Sequence, residues 1–195
     1  MSDAVLYDKD IREPLFDFLE ESYGRIRILE EMPIGKARAD VVMITTDKLY
    51  GIEIKSDADT YVRLKKQVRY YDKYYDRNII VTGSRHAMHV KEHVPAYWGI
   101  ISVELLENGC VDFYIIREAE ENPKVKDEYK MSILWRSELD HLMQMHKLPK
   151  YRNKNKAFLR EKLLEKVPAE ELWPEVCNEL FERDYNHGDG SLIDC

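Results

Sequence analysis

Two short apolar runs joined by a polar tip constrain the fold of this chain more than any other feature. Residues 41–44 and 49–54 are mostly β-branched or aromatic, which is typical of two short β-strands. The four residues 45–48 between them suit a tight turn. If residues 46–47 form a two-residue hairpin loop, the strands pair antiparallel, with Thr45 opposite Lys48.

The same hairpin brings three charged side chains to one face of the sheet. In that register Asp40 lies opposite Glu53, and Lys55, two residues further along, projects from the same face. Shifting the loop to residues 47–48 would place Asp40 opposite Lys55 and keep all three on that face. We refer to Asp40, Glu53 and Lys55 as the Asp–Glu–Lys set.

Two carboxylates and an ammonium on a sheet face need compensation once they are removed from water. They suit a hard cation, since Mg²⁺ is usually held by one or two carboxylates, substrate phosphate and several waters. A lysine beside the metal can orient an attacking water. The tripeptide Glu53-Ile54-Lys55 alone is equally typical of an exposed strand in a chain that is 34% charged. The hypothesis of a metal site therefore depends on Asp40, Glu53 and Lys55 together and not on the tripeptide alone.

Together with the helix that follows, this arrangement resembles the PD-(D/E)XK phosphodiesterase superfamily, whose core is a helix, a β-meander, a helix and a further strand. The Asp–Glu–Lys set falls on the central motif, although Ala39 stands where proline is usual. Gln67 and Tyr71 resemble the Gln-x-x-x-Tyr motif of RecB-like members, and their spacing places them on one helix face. Residues 51–57 and 97–101 further resemble a small bacterial and phage family near the MmcB-like DNA-repair nucleases. The resemblance covers residues 10–117 well and the C-terminal third weakly.

The resemblance implies an α/β, restriction-endonuclease-like core with a central mixed β-sheet flanked by helices. It also implies hydrolysis of phosphodiester bonds, in DNA above RNA, with Mg²⁺ or Mn²⁺ as cofactor. Asp40 and Glu53 would hold the metal, with the Ile54 carbonyl as a further ligand, and Lys55 would position the attacking water.

Three other residues have roles only through the same resemblance. Gln67 and Tyr71 would orient Lys55, a metal-bound water or a substrate phosphate. Glu13 occupies the place where several members carry an extra acidic residue on the first helix. Its alternative role is to complement the dipole of that helix's first turn. The rival function from another class is a non-catalytic DNA-binding or regulatory protein that keeps the nuclease fold.

The rest of the chain is interpreted as a nuclease-like core at 1–120, a linker at 121–130, a helical appendage at 131–185 and a disordered tail at 186–195. Pro14 fits the first turn of a helix, so the first regular helix is expected to begin close to Ile11. The pattern of apolar and turn residues predicts these elements: helices at 10–23, 61–75, 85–93, 131–146, 153–166 and 169–184, strands at 25–30, 78–83, 98–106 and 109–117, and a turn at 32–36.

Charge is unevenly distributed along this acidic chain, whose net charge is −7. Residues 147–162 carry seven lysines and arginines against one acid, hence +6, and the remainder carries −13. This segment resembles a SAP-type DNA-binding module, with a dimerisation or lid element as the alternative. A basic patch suits contact with phosphates. The residues predicted to contact nucleic acid are Arg63, Lys66, Lys150, Arg152, Lys154 and Lys156.

The three cysteines, Cys110, Cys177 and Cys195, are scattered and odd in number, which indicates reduced thiols in a cytoplasmic protein. No apolar run is long enough to suggest a membrane span. The expected partner is nucleic acid, and a homodimer is an open possibility.

Overall fold

A six-stranded mixed sheet forms the centre of the computed structural model, which describes residues 6–57, 59–83, 87 and 89–185. The strands lie in the sheet in chain order. The pairs β3–β4 and β4–β5 are parallel, and the other neighbours are antiparallel. The strands are β1 Arg27–Ile34, β2 Ala37–Ile44, β3 Leu49–Lys55, β4 Arg77–Gly83, β5 Gly99–Leu105 and β6 Val111–Arg117.

Helices cover both faces of this sheet. One face packs on α1 through one cluster of buried residues, and the opposite face packs on α2 and the C-terminal helices through another. None of the helices in the described ranges is long and apolar enough to cross a membrane. The helices are α1 Asp8–Tyr23, α2 Leu64–Tyr74, α3 Asp127–Lys130, α4 Arg136–Met145, α5 Lys156–Lys166 and α6 Ala169–Phe181, with 3₁₀ turns at Tyr61–Arg63 and Met131–Ile133. The prediction of an α/β fold with a central mixed sheet flanked by helices is confirmed.

The β2–β3 hairpin adopts the first of the two registers considered. Ile44 pairs with Leu49 and Val41 with Ile52. The Thr45 backbone N–H donates to the Lys48 carbonyl at 3.0 Å, which closes the two-residue loop. The shifted register is therefore not the one formed.

The first helix begins earlier than predicted. It starts at Asp8 and not near Ile11, so Pro14 lies inside it. Asp10 accepts a hydrogen bond from the Tyr7 backbone N–H at 3.1 Å, which stabilises the new start. Pro14 removes one backbone donor, but the helix continues because it buries an apolar face against the sheet.

The prediction of a turn at 32–36 was wrong for its first half. Met32 and Ile34 bury their side chains and extend β1, pairing with Ala39 and Ala37. Burial on a paired strand outweighs the turn signal of the intervening proline. The helix predicted at 85–93 lies partly outside the described residues, and the predicted tail at 186–195 lies wholly outside them.

Residues 121–130, interpreted above as a linker, pack against the C-terminal half of α2. The buried side-chain amide of Asn122 donates to the carbonyls of Asp72 at 2.9 Å and Tyr75 at 2.7 Å. Buried Lys130 donates to Asp76 Oδ1 at 2.6 Å. The C-terminal helices that follow belong to the same cluster of buried residues as α2 and the sheet.

Candidate functional site

The strands β2 and β3 stop pairing just before the Asp–Glu–Lys set. Their last paired residues are Val41 and Ile52, and the next step of the register would join Asp40 to Glu53. The Tyr71 hydroxyl lies between the separating strands, where it accepts from the Asp40 backbone N–H at 3.0 Å and donates to the Ile52 carbonyl at 3.3 Å. A side chain of α2 thus satisfies backbone groups that the ladder leaves open.

The Asp40 carboxylate is fixed by the opposite strand. Its Oδ2 accepts the Ile54 backbone N–H at 2.9 Å. Burial, and after it the neighbouring charge of Glu53, raise the pKa of Asp40 from 3.8 to about 7. The Ile54 hydrogen bond and the charges of Lys55 and Arg12 oppose this shift without cancelling it. Asp40 is therefore a carboxylate whose negative charge is poorly compensated by the protein.

Glu53 is fully buried beside it. Its Oε1 accepts hydrogen bonds from Lys55 Nζ and Gln67 Nε2, whereas its Oε2 is buried without a partner among the described residues. The Gln67 Oε1 is likewise buried without a hydrogen-bond partner among the described residues. Burial raises the pKa of Glu53. The charge and hydrogen bond of Lys55 oppose that effect, and the nearby Tyr71 hydroxyl opposes it too.

The other buried carboxylates of the described chain are satisfied at both oxygens. Glu138 accepts from Arg183 Nε and Nη2 at 2.7 Å each, and from the Trp135 backbone N–H at 2.6 Å. Asp76 accepts from Lys130 and from the Leu49 backbone N–H. Asp72 accepts from the side chains of two aromatic residues and a lysine. Glu53 stands apart from these three.

Arg12 on α1 is a site residue that the sequence analysis missed. Its Nη1 donates to the Asp40 carbonyl at 3.2 Å, and its guanidinium also pairs with Asp8 at 2.6 Å and Glu31 at 2.7 Å. Glu31 has a positive φ of 55°, a strained conformation for a residue with a side chain. The neighbouring Glu13 is exposed, and no contact in the described chain joins it to Asp40 or Glu53. The sequence analysis named Glu13 as a candidate on the same turn of α1, but it did not name Arg12.

A metal at this point would have few protein ligands. Among the described residues, no group of three or more His, Cys, Asp and Glu side chains is placed to hold a metal ion. The oxygens available are those of Asp40, Glu53 and the Ile54 carbonyl, whose oxygen lies 3.5 Å from Lys55 Nζ. Nearby Asp59 accepts from the Ser56 backbone N–H at 2.9 Å and closes a turn. This small oxygen set fits Mg²⁺, which keeps several waters.

The family model of bacteriophage P4 protein cII matches residues 1–194 of the chain. The chain belongs to the bacteriophage P4 protein cII family. No curated protein and no solved structure matches it. Because the match runs through residues 131–185, the C-terminal helices are part of the cII family chain.

The basic residues predicted to contact nucleic acid lie in two places on this cII family protein. Arg63 and Lys66 are exposed at the start of α2, the helix that carries Gln67. Lys150 and Arg152 are exposed on a groove of about 580 Å³ between α4 and the loop that follows it. The exposed Lys154 and Lys156 follow at the start of α5. The fold thus presents positive charge at the site and on the C-terminal helices.

Proposed function

We propose that this cII family protein is a metal-dependent phosphodiesterase with a restriction-endonuclease-like core. Its substrate is nucleic acid, and it cleaves DNA in preference to RNA. The order α1–β1–β2–β3–α2–β4 supports this assignment, because it is the helix, meander, helix and strand of the PD-(D/E)XK core. The Asp–Glu–Lys set lies on β2 and β3, and the Gln67–Tyr71 pair lies on α2. These are the elements that carry the corresponding motifs in the MmcB-like and RecB-like members.

The unpaired Oε2 of Glu53 is the observation that carries the proposal. A buried polar atom without a hydrogen bond costs about 1–3 kcal/mol, and a charged one costs more. This protein satisfies both oxygens of Glu138, Asp76 and Asp72. Glu53 Oε2 lacks a protein partner, and the neighbouring carboxyl of Asp40 has a raised pKa. Both features are expected where a bound cation supplies the missing positive charge.

The residues of the site have separable roles in hydrolysis. Asp40, Glu53 and the Ile54 carbonyl would hold the ion, and Mg²⁺ or Mn²⁺ bound there supplies a Lewis acid and lowers the pKa of water. Lys55, held on Glu53 Oε1, donates hydrogen bonds toward the attacking water and the phosphate oxygens. Gln67 orients the Glu53 carboxylate, and Tyr71 fixes the backbone of Asp40.

The exposed cations would bind the sugar–phosphate backbone outside this centre. Arg63 directly precedes α2, and Lys66 lies in its first turn beside Gln67. Lys150, Arg152, Lys154 and Lys156 would add contacts from the C-terminal helices. In a chain of net charge −7, such local positive charge binds phosphate while the acidic remainder limits non-specific binding.

The test is cleavage of linear, circular and single-stranded DNA and of RNA, each with Mg²⁺, Mn²⁺ or EDTA. We expect cleavage with either metal and none in EDTA. Asp40→Ala, Glu53→Ala and Lys55→Ala should each abolish it in protein that circular dichroism shows to be folded. The Lys55 variant should still bind Mn²⁺, and the carboxylate variants should bind it weakly.

The control is Asp17→Asn, an exposed carboxylate on the outer side of α1, which should cleave normally. Glu13→Gln tests the remaining acidic candidate on that helix. Full activity of Glu53→Ala would remove the site from the mechanism. Metal-independent DNA binding by a wild-type protein that cuts no substrate would favour the non-catalytic alternative.

A further inference from the structure

A second charged feature lies on α2, away from the Asp–Glu–Lys set. A groove of about 500 Å³ separates the helix from residues 123–126, which we call the strap. Four cations line it, Arg69 and Lys73 from α2 and Lys124 and Lys126 from the strap. Neither the site described above nor the basic segment of the C-terminal helices includes these residues.

The charge of this groove is largely unneutralised. Its one acidic lining residue, Asp72, is buried and accepts hydrogen bonds from Tyr97 at 2.8 Å and Trp98 at 2.9 Å, with Lys124 Nζ at 3.4 Å. No ion pair in the described chain joins Arg69, Lys73 or Lys126 to a carboxylate. Four cations against one carboxylate leave +3 on the surface of a protein whose net charge is −7.

The groove is held in place by the fold. The Lys126 backbone N–H donates to the Lys73 carbonyl at 3.0 Å, so the strap is tied to the last turn of α2. Lys73 Nζ lies 5.0 Å from the ring centroid of Tyr129, and Lys124 Nζ lies 5.5 Å from that of Tyr97. Such cation–π contacts restrain flexible lysines. The positive charge is therefore positioned before any ligand arrives.

The spacing of the cations suits a chain of anions. Arg69 and Lys73 are four residues apart, about 6 Å along the helix axis. The strap lysines are two residues apart on the facing side, so both walls of the groove carry cations. Grooves lined by cations in this way track the backbone of a nucleic-acid strand.

We propose that the groove between α2 and the strap binds successive phosphates of a nucleic-acid strand. This rests on the proposed function, because it names a second contact of the same substrate. Gln67 lies six residues before Lys73, about 9 Å along α2, so one helix carries both the contact to Glu53 and the groove. A strand bound in the groove is thereby held in a fixed position relative to the Asp–Glu–Lys set.

The test is the double variant Arg69→Gln, Lys126→Gln, since neither of these exposed side chains forms an ion pair with another described residue. Lys73 and Lys124 are left intact because they contact Tyr129 and Asp72. The matched control is Lys9→Gln, Lys91→Gln, which removes two exposed positive charges elsewhere. Binding of a labelled single-stranded oligonucleotide is measured in EDTA over a range of salt concentrations, beside the melting temperatures.

We expect weaker binding by the groove variant and a log–log salt slope smaller by about 1.4, since each lost phosphate contact of a single strand removes about 0.7. The control should keep the wild-type slope. A folded groove variant with the wild-type slope and affinity overturns the proposal, as does an equal loss in the control.

The outcome is separable from that of the proposed function. Binding in EDTA requires no hydrolysis, and Glu53→Ala should retain the wild-type salt slope while losing cleavage. Metal-dependent cleavage lost in Glu53→Ala, together with an unchanged slope in the groove variant, would overturn the groove alone. Groove-dependent binding with no cleavage under any condition would refute the phosphodiesterase and leave the groove standing.

Discussion

Replacing Asp40 with asparagine should stabilise the metal-free protein at neutral and alkaline pH, although it should abolish cleavage. Asp40 is held by one backbone hydrogen bond, from Ile54, and lies beside buried Glu53. Asparagine keeps an acceptor for the Ile54 N–H and removes the negative charge. Comparing the variant with the wild type therefore measures how much the ionised carboxylate lowers the free energy of unfolding.

The magnitude follows from the pKa of Asp40, about 7 in the folded protein against an ordinary value of 3.8. Between these pH values the folded state keeps a proton that the unfolded state has released, so stability falls as pH rises through this window. At about 1.4 kcal/mol for each pH unit, with the slope flattening near the folded pKa, the loss from pH 5 to pH 8 is about 2.6 kcal/mol. Asp40 is partly exposed, and screening by water reduces this to about 2 kcal/mol.

The assay is urea unfolding of the wild type and Asp40→Asn in EDTA at pH 5, 6, 7 and 8. The variant's advantage in unfolding free energy should grow by about 2 kcal/mol from pH 5 to 8. The control Asp17→Asn, on an exposed stretch of α1, should show a difference that does not change with pH. Mg²⁺ added at pH 8 should then stabilise the wild type and leave Asp40→Asn unchanged.

An advantage that stays constant between pH 5 and 8 would refute the reasoning. It would mean that the folded protein compensates the charge of Asp40 as well as water does. The charge of Asp40 would then no longer indicate a cation site, whatever the cleavage assay gave.

Two further variants test how the site and the C-terminal helices are held. Tyr71→Phe leaves the Asp40 N–H and the Ile52 carbonyl without their bridging hydroxyl, so unfolding free energy should fall by about 1–3 kcal/mol and cleavage should fall with it; a wild-type melting temperature would contradict the bridge. Lys130→Ala leaves Asp76 buried with one oxygen unpaired and should cost about 3–5 kcal/mol. Its unfolding, followed by circular dichroism and tryptophan fluorescence, should remain one transition, and two separated transitions would show that the C-terminal helices unfold on their own.

Local patterns in the sequence were sufficient to predict the central hairpin. A two-residue loop between β-branched runs has few registers, and each of those considered kept Asp40, Glu53 and Lys55 together. The spacing of Gln67 and Tyr71 likewise fixed their shared helix face, because an α-helix repeats every 3.6 residues. The structure adds their distinct contacts, since Gln67 reaches Glu53 and Tyr71 reaches two backbone groups.

Contacts between distant parts of the chain could not be predicted in this way. Arg12 looks like a solvent-facing position of an amphipathic helix, and only packing brings it to the Asp40 carbonyl. The charged, proline-containing stretch at 121–130 has the composition of a linker. Its position depends on Asn122 and Lys130 meeting carbonyls and a carboxylate about fifty residues earlier, and no local pattern encodes such pairs.

The helix α2 connects the structural and the proposed functional features of the protein. Its buried side holds the gap between β2 and β3 through Tyr71, its edge reaches Glu53 through Gln67, and its outer side forms one wall of the groove. A displacement of this helix would therefore change the geometry of Asp40 and Glu53 together with that of the groove cations. The Asn122 side chain ties the residue before the strap to the end of α2, so Asn122→Ala should alter binding and cleavage in parallel. Lys150 and Arg152 line a different groove, so substitutions there should change binding alone.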